Sequence, residues 1–314
     1  MKFLIVLTGL LCLSTPLQIH AQDFVQVDNT LLLYPDRFER PEDLAAMIDR
    51  DFDTDLEKVR AVYGWIIAHI AYDPSQYEEF DFSFRDYKER NRKQQKKREA
   101  VIRTTIKKGL AVCEGYAMLF ERLCELLGIE NYLVRGQAKS IPQDIGSTFD
   151  LNHLWNVAYI DGQPYLFDTT WGAGRYTDRF LHEPDYFYFM IDPLMLIRSH
   201  YPEVPSDSLL EEPISADQFA DLPLFLNRDV GINDIISPFS GIIDAQSARG
   251  LVSFQLVAGS AGTISYSFGE EKYPLPSRKV GEILYFQVTL PEKSPRQLVI
   301  YFDGKPALAY RIER

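Results

Sequence analysis

Residues 109–128 read GLAVCEGYAMLFERLCELLG. The spacing of their apolar side chains decides how the rest of the chain is read. Tyr116, Leu119, Phe120, Leu123 and Leu127 recur at the i, i+3, i+4, i+7 interval of a helix with one buried face, and Gly128 is a natural C-terminal stop. Cys113 then falls in the first turn. Unpaired backbone N–H groups and the positive end of the helix dipole favour a thiolate there, which is how a cysteine becomes a nucleophile near neutral pH. Gly115 permits close approach of another group. A cysteine merely covered by its neighbours fits the helix pattern equally well, so the pattern alone does not make Cys113 catalytic.

The mature chain keeps few thiols. Lys2, the apolar run from Phe3 to Leu13 and the segment Ile19, His20, Ala21 read as a signal peptide occupying residues 1–21, cut after Ala21, which predicts a secreted or periplasmic protein. Cys12 follows Leu10 and Leu11 rather than the small residues of a lipoprotein signal. Cys113 and Cys124 remain. Eleven helical residues separate them by about 16 Å, whereas a disulfide needs Cα atoms within roughly 7 Å, so the two are expected to stay free. Cys124 lies on the apolar stripe and reads as a small buried hydrophobe. A net charge of −12 argues against nucleic acid or an anionic membrane as the main partner. No later segment has transmembrane length, so no stable membrane insertion is expected.

Along the chain, residues 31–34 read as a short strand or lead-in. Helices are predicted from about Pro41 to Phe52 and over residues 56–71, the second with Val59, Val62, Tyr63, Ile66, Ile67 and Ile70 on one face and His69 at its rim. A basic run follows over residues 85–108: Arg85, Lys88, Arg90, Arg92, Lys93, Lys96, Lys97 and Arg98, then Arg103, Lys107 and Lys108. It reads as one solvated helix face, or as a recruiter of an acidic substrate. Strands are predicted over 131–137, 152–160 and 165–169, the last two joined by the turn signal Asp161-Gly162. With that turn, position i pairs with position 323 minus i, which sets His153 opposite Thr170 and diagonal to Asp168, near enough to hydrogen-bond. Tyr186, Phe187, Tyr188 and Phe189 read as core. Residues 202–223 read as a linker or flap with a short helix at 215–220. Beyond, alternating segments at 251–257, 263–268, 283–290, 298–302 and 307–312 predict a small β-sandwich without histidine or cysteine, where chemistry is not expected.

A cysteine at a helix start, a histidine on a following strand and an aspartate on the next supply a nucleophile, a general base and an orienting group. Val112-Cys113-Glu114-Gly115-Tyr116-Ala117, His153-Leu154-Trp155-Asn156-Val157 and Phe167-Asp168-Thr169-Thr170-Trp171-Gly172 resemble, in that order, the motifs of the transglutaminase-like superfamily and of its kyphoscoliosis peptidase-like branch. The stretch through Trp65, Ile66, Ile70, Tyr72 and Asp73 resembles the entry to that core, and residues 186–223 the extension of that branch. The resemblance covers roughly residues 40–225. It implies an α+β, papain-like core and an acyl-enzyme formed by thiol attack on an amide or ester. By position, Cys113 is the nucleophile, His153 the base and Asp168 the orienter. The Cys113 backbone N–H supplies one oxyanion donor; the second, in the superfamily, comes from a side chain upstream, for which Tyr72 and Gln76 are the candidates. Leu154 replaces a more usual alanine, and the basic insertion is less usual still.

The expected organisation is thus a signal peptide, a transglutaminase-like catalytic domain over 22–228, and an immunoglobulin-like β-sandwich over 229–314. The leading functional reading is a secreted cysteine hydrolase acting on peptide or isopeptide amides, with a protein, peptide or cell-wall peptide as partner and no cofactor. Transamidation through the same acyl-enzyme, and a catalytically idle peptide- or glycan-binding protein, are the alternatives. Cys113, His153 and Asp168 are also chemically acceptable zinc ligands, but no CxxC or HxxxH spacing accompanies them. Trp155 and Trp171 read as walls of the site rather than a cofactor box.

Overall fold

In the computed structural model, residues 24–77, 87–176, 178–226, 231–259, 262–291 and 296–313 are described. The signal segment 1–21 lies outside them, as does Arg85.

The chain enters through helix α1 (Val25–Leu31), not the strand expected near residue 31. Val27 and Leu31, four residues apart, bury one side of it, and Asp28 meets the Arg60 guanidinium at 3.0 and 2.8 Å. Leu31 ends this helix and Leu32 and Leu33 lie in the turn after it, so the three consecutive leucines form no strand. Helix α2 (Pro41–Asp51) starts with proline in the first turn, where its missing N–H costs nothing. Helix α3 (Asp55–His69) opens on a reciprocal capping box, with the Glu57 N–H donating to Thr54 Oγ1 and the Thr54 N–H to Glu57 Oε2. Every residue of α3 from Val59 to Ile67 is buried, so it is the central helix of the core. His69 sits at its rim, stacked on Trp65.

Two short parallel strands, β1 (Ala71–Tyr72) and β2 (Leu110–Ala111), place Tyr72 beside Ala111, two residues before Cys113. Between them runs helix α4 (Tyr87–Lys108), which carries the basic residues. Helix α5 (Cys113–Leu126) follows, with Tyr116, Leu119, Phe120 and Leu123 fully buried. Its Gly115 is required by packing: a Cβ there would meet Thr105 Oγ1 of α4 at 2.5 Å and Ala111 Cβ at 2.7 Å. The close neighbour allowed by this glycine is therefore a helix.

Strands β3 (Asn131–Ala138), β4 (His153–Ile160) and β5 (Gln163–Phe167) pair antiparallel. The β4–β5 register matches Ile160 with Gln163 and Asn156 with Phe167, the pairing expected from the Asp161-Gly162 turn. Strand β5 stops two residues earlier than predicted, because Asp168 caps helix α6 (Thr169–Ala173) by accepting the Trp171 N–H at 2.9 Å. A hairpin, β6 (Gly174–Tyr176) and β7 (Phe180–His182), leads to β8 (Phe189–Ile191), helix α7 (Pro193–Leu196) and β9 (His200–Pro202). The five-stranded sheet then runs β8-β5-β4-β3-β9. The Asn156 amide on its inner face donates to Ala117 O of α5 at 3.1 Å. Helix α8 (Ala216–Asp221) is capped by Ser215.

The C-terminal part forms two further sheets. Strand β10 (Leu224–Phe225) already pairs with the last strand, so the end of the predicted linker belongs to this sheet. The others are β11 (Ile232–Ser237), β12 (Ile242–Asp244), β13 (Leu251–Ala258), β14 (Ile264–Ser267), β15 (Lys272–Leu275), β16 (Ser277–Val280), β17 (Ile283–Thr289), β18 (Gln297–Phe302) and β19 (Lys305–Glu313). One sheet runs β11-β13-β17-β16; the other runs β10-β19-β18-β14-β15, with β12 also on β19. Their alternating apolar residues, among them Phe254, Leu284, Ile300 and Tyr310, enclose a second core. Ile145, Leu224, Val299 and Ala309 join the two parts in a small shared cluster.

Candidate active site

Cys113 is the first residue of α5 and is partly exposed, while Cys124, one face further along, is fully buried with its thiol pKa raised by that burial. Both are free. Cys113 opens onto a cleft of about 1250 Å³, which is also lined by Tyr72 and His153. The basic helix forms one wall, through Arg90, Asn91, Gln94, Lys97 and Arg98; Arg135 and Asn152 come from the sheet side. Arg98 is held by Glu121 and, at 3.8 Å, by Glu125. The run read from sequence as a solvated face is thus also part of the cleft.

His153 begins β4 and Asp168 follows β5. The hairpin register brings His153 Nε2 to 2.7 Å from Asp168 Oδ2, with both residues buried. Because Nε2 is engaged with the carboxylate, Nδ1 is the ring nitrogen left for Cys113, which lines the same cleft as His153. Burial opposes a charge on His153, but the adjacent Asp168 carboxylate outweighs it, and the imidazole pKa is raised. For Asp168 burial would raise the pKa; the His153 charge and the hydrogen bonds from His153 and His200 overcome it, holding the carboxyl well below its usual range. The structure therefore holds a buried carboxylate–imidazole couple next to a thiol at a helix N-terminus.

The two candidates for the second oxyanion donor separate. Tyr72 lines the cleft, and its hydroxyl pKa is raised first by burial and then by the charge of Cys113. The Gln76 amide donates to Asp73 Oδ2 at 3.0 Å and Ser75 Oγ at 3.1 Å, and Gln76 is not among the residues lining the cleft. Trp155 is buried, and its ring stacks 6.0 Å from His153; Trp171 lies 6.0 Å from His153 and 4.5 Å from His200. Both tryptophans wall the histidine pair rather than the cleft.

Sequence reading missed His200. It lies in β9, 47 residues beyond His153, within a short segment that has no periodic pattern. Its Nε2 is 3.0 Å from the same Asp168 oxygen. Among the described residues, His153, Asp168 and His200 are the group whose donors converge closely enough to suggest a metal, and Cys113 is not part of it. The separations of 2.7 and 3.0 Å are hydrogen-bond distances. Nitrogen and oxygen ligands about 2.0–2.1 Å from a tetrahedral zinc stand about 3.3 Å apart. The group fits proton sharing better than ion binding.

Residues 42–169 match the family model described as the transglutaminase-like superfamily. Human kyphoscoliosis peptidase is 34% identical over 183 residues, which cover 57% of this chain and 25% of that protein. Hillarin of Drosophila melanogaster is 31% identical over 126 residues, covering 35% of this chain and 15% of its own. The chain thus spans a quarter or less of the length of these curated relatives. The solved structure of a TGase, 15% identical, aligns with 55% of this chain and 39% of its own at a TM-score of 0.30. Residues 42–169 thus match the transglutaminase-like superfamily, and this part of the chain is similar to kyphoscoliosis peptidase.

Proposed function

We propose that this protein is an exported cysteine hydrolase that cleaves peptide or isopeptide amides through an acyl-enzyme on Cys113. The observation carrying this reading is the buried His153–Asp168 couple at 2.7 Å, which leaves His153 Nδ1 for the thiol at the mouth of an open cleft. His153 takes the thiol proton, and the thiolate attacks the amide carbonyl. The Cys113 N–H and the Tyr72 hydroxyl receive the developing oxyanion. The imidazolium then protonates the leaving amine, and the acyl-enzyme forms. Water, activated by His153, releases the acid and restores the thiol. Water rather than an amine is the acceptor proposed for this last step. Export rests on residues 1–21 as read from sequence; a full-length N-terminus on the mature protein would remove it.

The test is alkylation of Cys113 by iodoacetamide between about pH 5 and pH 9, in the unaltered protein and in His153→Ala, with Cys113→Ser to establish labelling specificity. Rapid labelling below about pH 7 that is lost with His153 supports the reading, and a peptide and cell-wall amide screen follows. A thiol that titrates like an ordinary cysteine near pH 8.5, in both proteins, overturns it in favour of a binding role.

A further inference from the structure

Asp168 accepts three hydrogen bonds. The Trp171 N–H reaches Oδ1 at 2.9 Å, while His153 Nε2 and His200 Nε2 share Oδ2 at 2.7 and 3.0 Å. All three side chains of the shared contact are buried. One carboxylate cannot balance two imidazolium charges in a buried site, and the two rings lie only 5.1 Å apart. His153, and not His200, lines the cleft with the thiol, so the charge belongs there. His200 is walled by uncharged aromatic rings, with Trp171 at 4.5 Å, Trp155 at 5.3 Å and Tyr188 at 5.9 Å. Its other nitrogen, Nδ1, lies 2.8 Å from Ser199 Oγ, whose one proton has only a longer alternative acceptor in Leu196 O at 3.5 Å, so the hydroxyl is placed to donate to the ring.

We propose that His200 is a positioning residue of the Cys113–His153–Asp168 machinery: a neutral imidazole that donates from Nε2 to Asp168, its tautomer fixed by the Ser199 hydroxyl donating to Nδ1. This rests on the hydrolase reading given above. The ring adds a donor to the carboxylate without adding a charge. It holds Oδ2 in place for His153 and leaves the whole negative charge available to the imidazolium facing the thiol. The backbone supports the same end. Strand β3 pairs with β4 on one edge and β9 on the other, with Gly136 opposite both His153 and Pro202. A Cβ on Gly136 would meet Tyr201 O at 2.2 Å and Trp155 Cη2 at 2.4 Å, so only glycine lets the two histidine-bearing strands close around this point.

Glutamine places an amide N–H where His200 Nε2 stands, asparagine places it nearer the Nδ1 position, and leucine fills the space without a donor. Loss of one charge-assisted hydrogen bond corresponds to a roughly ten- to hundredfold effect. At pH 6, Cys113 alkylation and amide turnover are expected to fall by that factor in His200→Leu and His200→Asn, with the alkylation profile displaced to higher pH. His200→Gln is expected to stay within a few-fold of the unaltered protein. A space-filling role predicts instead that leucine is tolerated, or that leucine and glutamine fall equally; either result overturns the proposal. Should His200→Leu fail to fold by thermal melting, histidine nitrogen NMR of the unaltered protein decides. A neutral His200 protonated at Nε2 supports the proposal, and an imidazolium or an Nδ1–H tautomer overturns it. If Cys113 labelling proves independent of His153, the hydrolase reading and the role of His200 both fall. If labelling depends on His153 but not on the His200 series, His200 alone falls.

Discussion

Asp168→Asn exchanges one atom in the core of the site and is expected to disable it without unfolding it. Both carboxylate oxygens are acceptors: Oδ1 for the Trp171 N–H, Oδ2 for two imidazoles. An amide has one oxygen. Turned toward the histidines, it sets its own N–H₂ against the Trp171 N–H; turned toward Trp171, it sets that group against both ring nitrogens. The charge is lost in either case. Two unit charges about 4 Å apart interact by about 4 kcal/mol at an effective dielectric near 20, and an amide dipole recovers only part of this. A net loss of about 2 to 3 kcal/mol for the imidazolium corresponds to roughly 30- to 150-fold. Alkylation of Cys113 at pH 6 should slow by that factor. Near pH 9 the thiolate forms without help, so the variant should approach the unaltered protein there. Stopped-flow labelling across this range, with a thermal melt to establish folding, makes the measurement. A variant that labels at the original rate at pH 6 would refute the assignment of the charge to the His153–Asp168 couple.

Tyr72→Phe should lower kcat on an amide substrate by about a hundredfold, the effect of losing one oxyanion donor, while Gln76→Ala leaves kcat unchanged; equal effects would remove Tyr72 from that role. Arg135→Glu at the cleft should slow labelling of Cys113 by anionic iodoacetate roughly threefold relative to neutral iodoacetamide, with the difference shrinking in high salt. An unchanged ratio would show that the basic wall has no influence at the thiol. Lys139 is buried, donating to Phe219 O at 2.6 Å and Leu222 O at 2.9 Å, and burial pushes its amine down to about 7 against the charges of Asp144 and Asp221. Between about pH 7 and its ordinary value near 10.4, the unfolded chain binds a proton that the folded chain has released. Stability should therefore rise with pH across that window relative to Lys139→Met. Urea midpoints with the same pH slope in both proteins would contradict this.

The parts of the fold legible in the sequence are those fixed by local spacing. The α5 stripe and the Asp161-Gly162 turn each act within a few residues of themselves. The turn did more, because its register carried His153 to Asp168. Where a distant partner decides, the sequence misleads or is silent. Three leucines near residue 32 suggested a short strand or lead-in, but Leu31 is buried as the last residue of a helix tied down by the Asp28–Arg60 pair, and Leu32 and Leu33 are exposed in the turn after it. Strands β15 and β16 lie at the rims of the sandwich sheets and carry mostly exposed residues, so they show no apolar alternation. His200 gains its place only when β9 adds to the edge of β3, and nothing near it in sequence marks that event. Tyr72 and Gln76 are four residues apart, yet parallel pairing of β1 with β2 puts one beside the thiol while Asp73 holds the other away.

The hairpin of β4 and β5 has a consequence for the order of assembly. His153 and Asp168 are only 15 residues apart and meet as soon as their own turn closes, a contact of low sequence separation. The thiol is 40 residues upstream, on a helix that must pack against the finished sheet, and His200 is a further 32 residues beyond Asp168. Contacts of longer separation carry a larger loop-closure cost and form later. The imidazole and carboxylate are thus ready before the nucleophile arrives. During refolding, Cys113 should gain its heightened reactivity together with native tertiary structure and not with the first sheet.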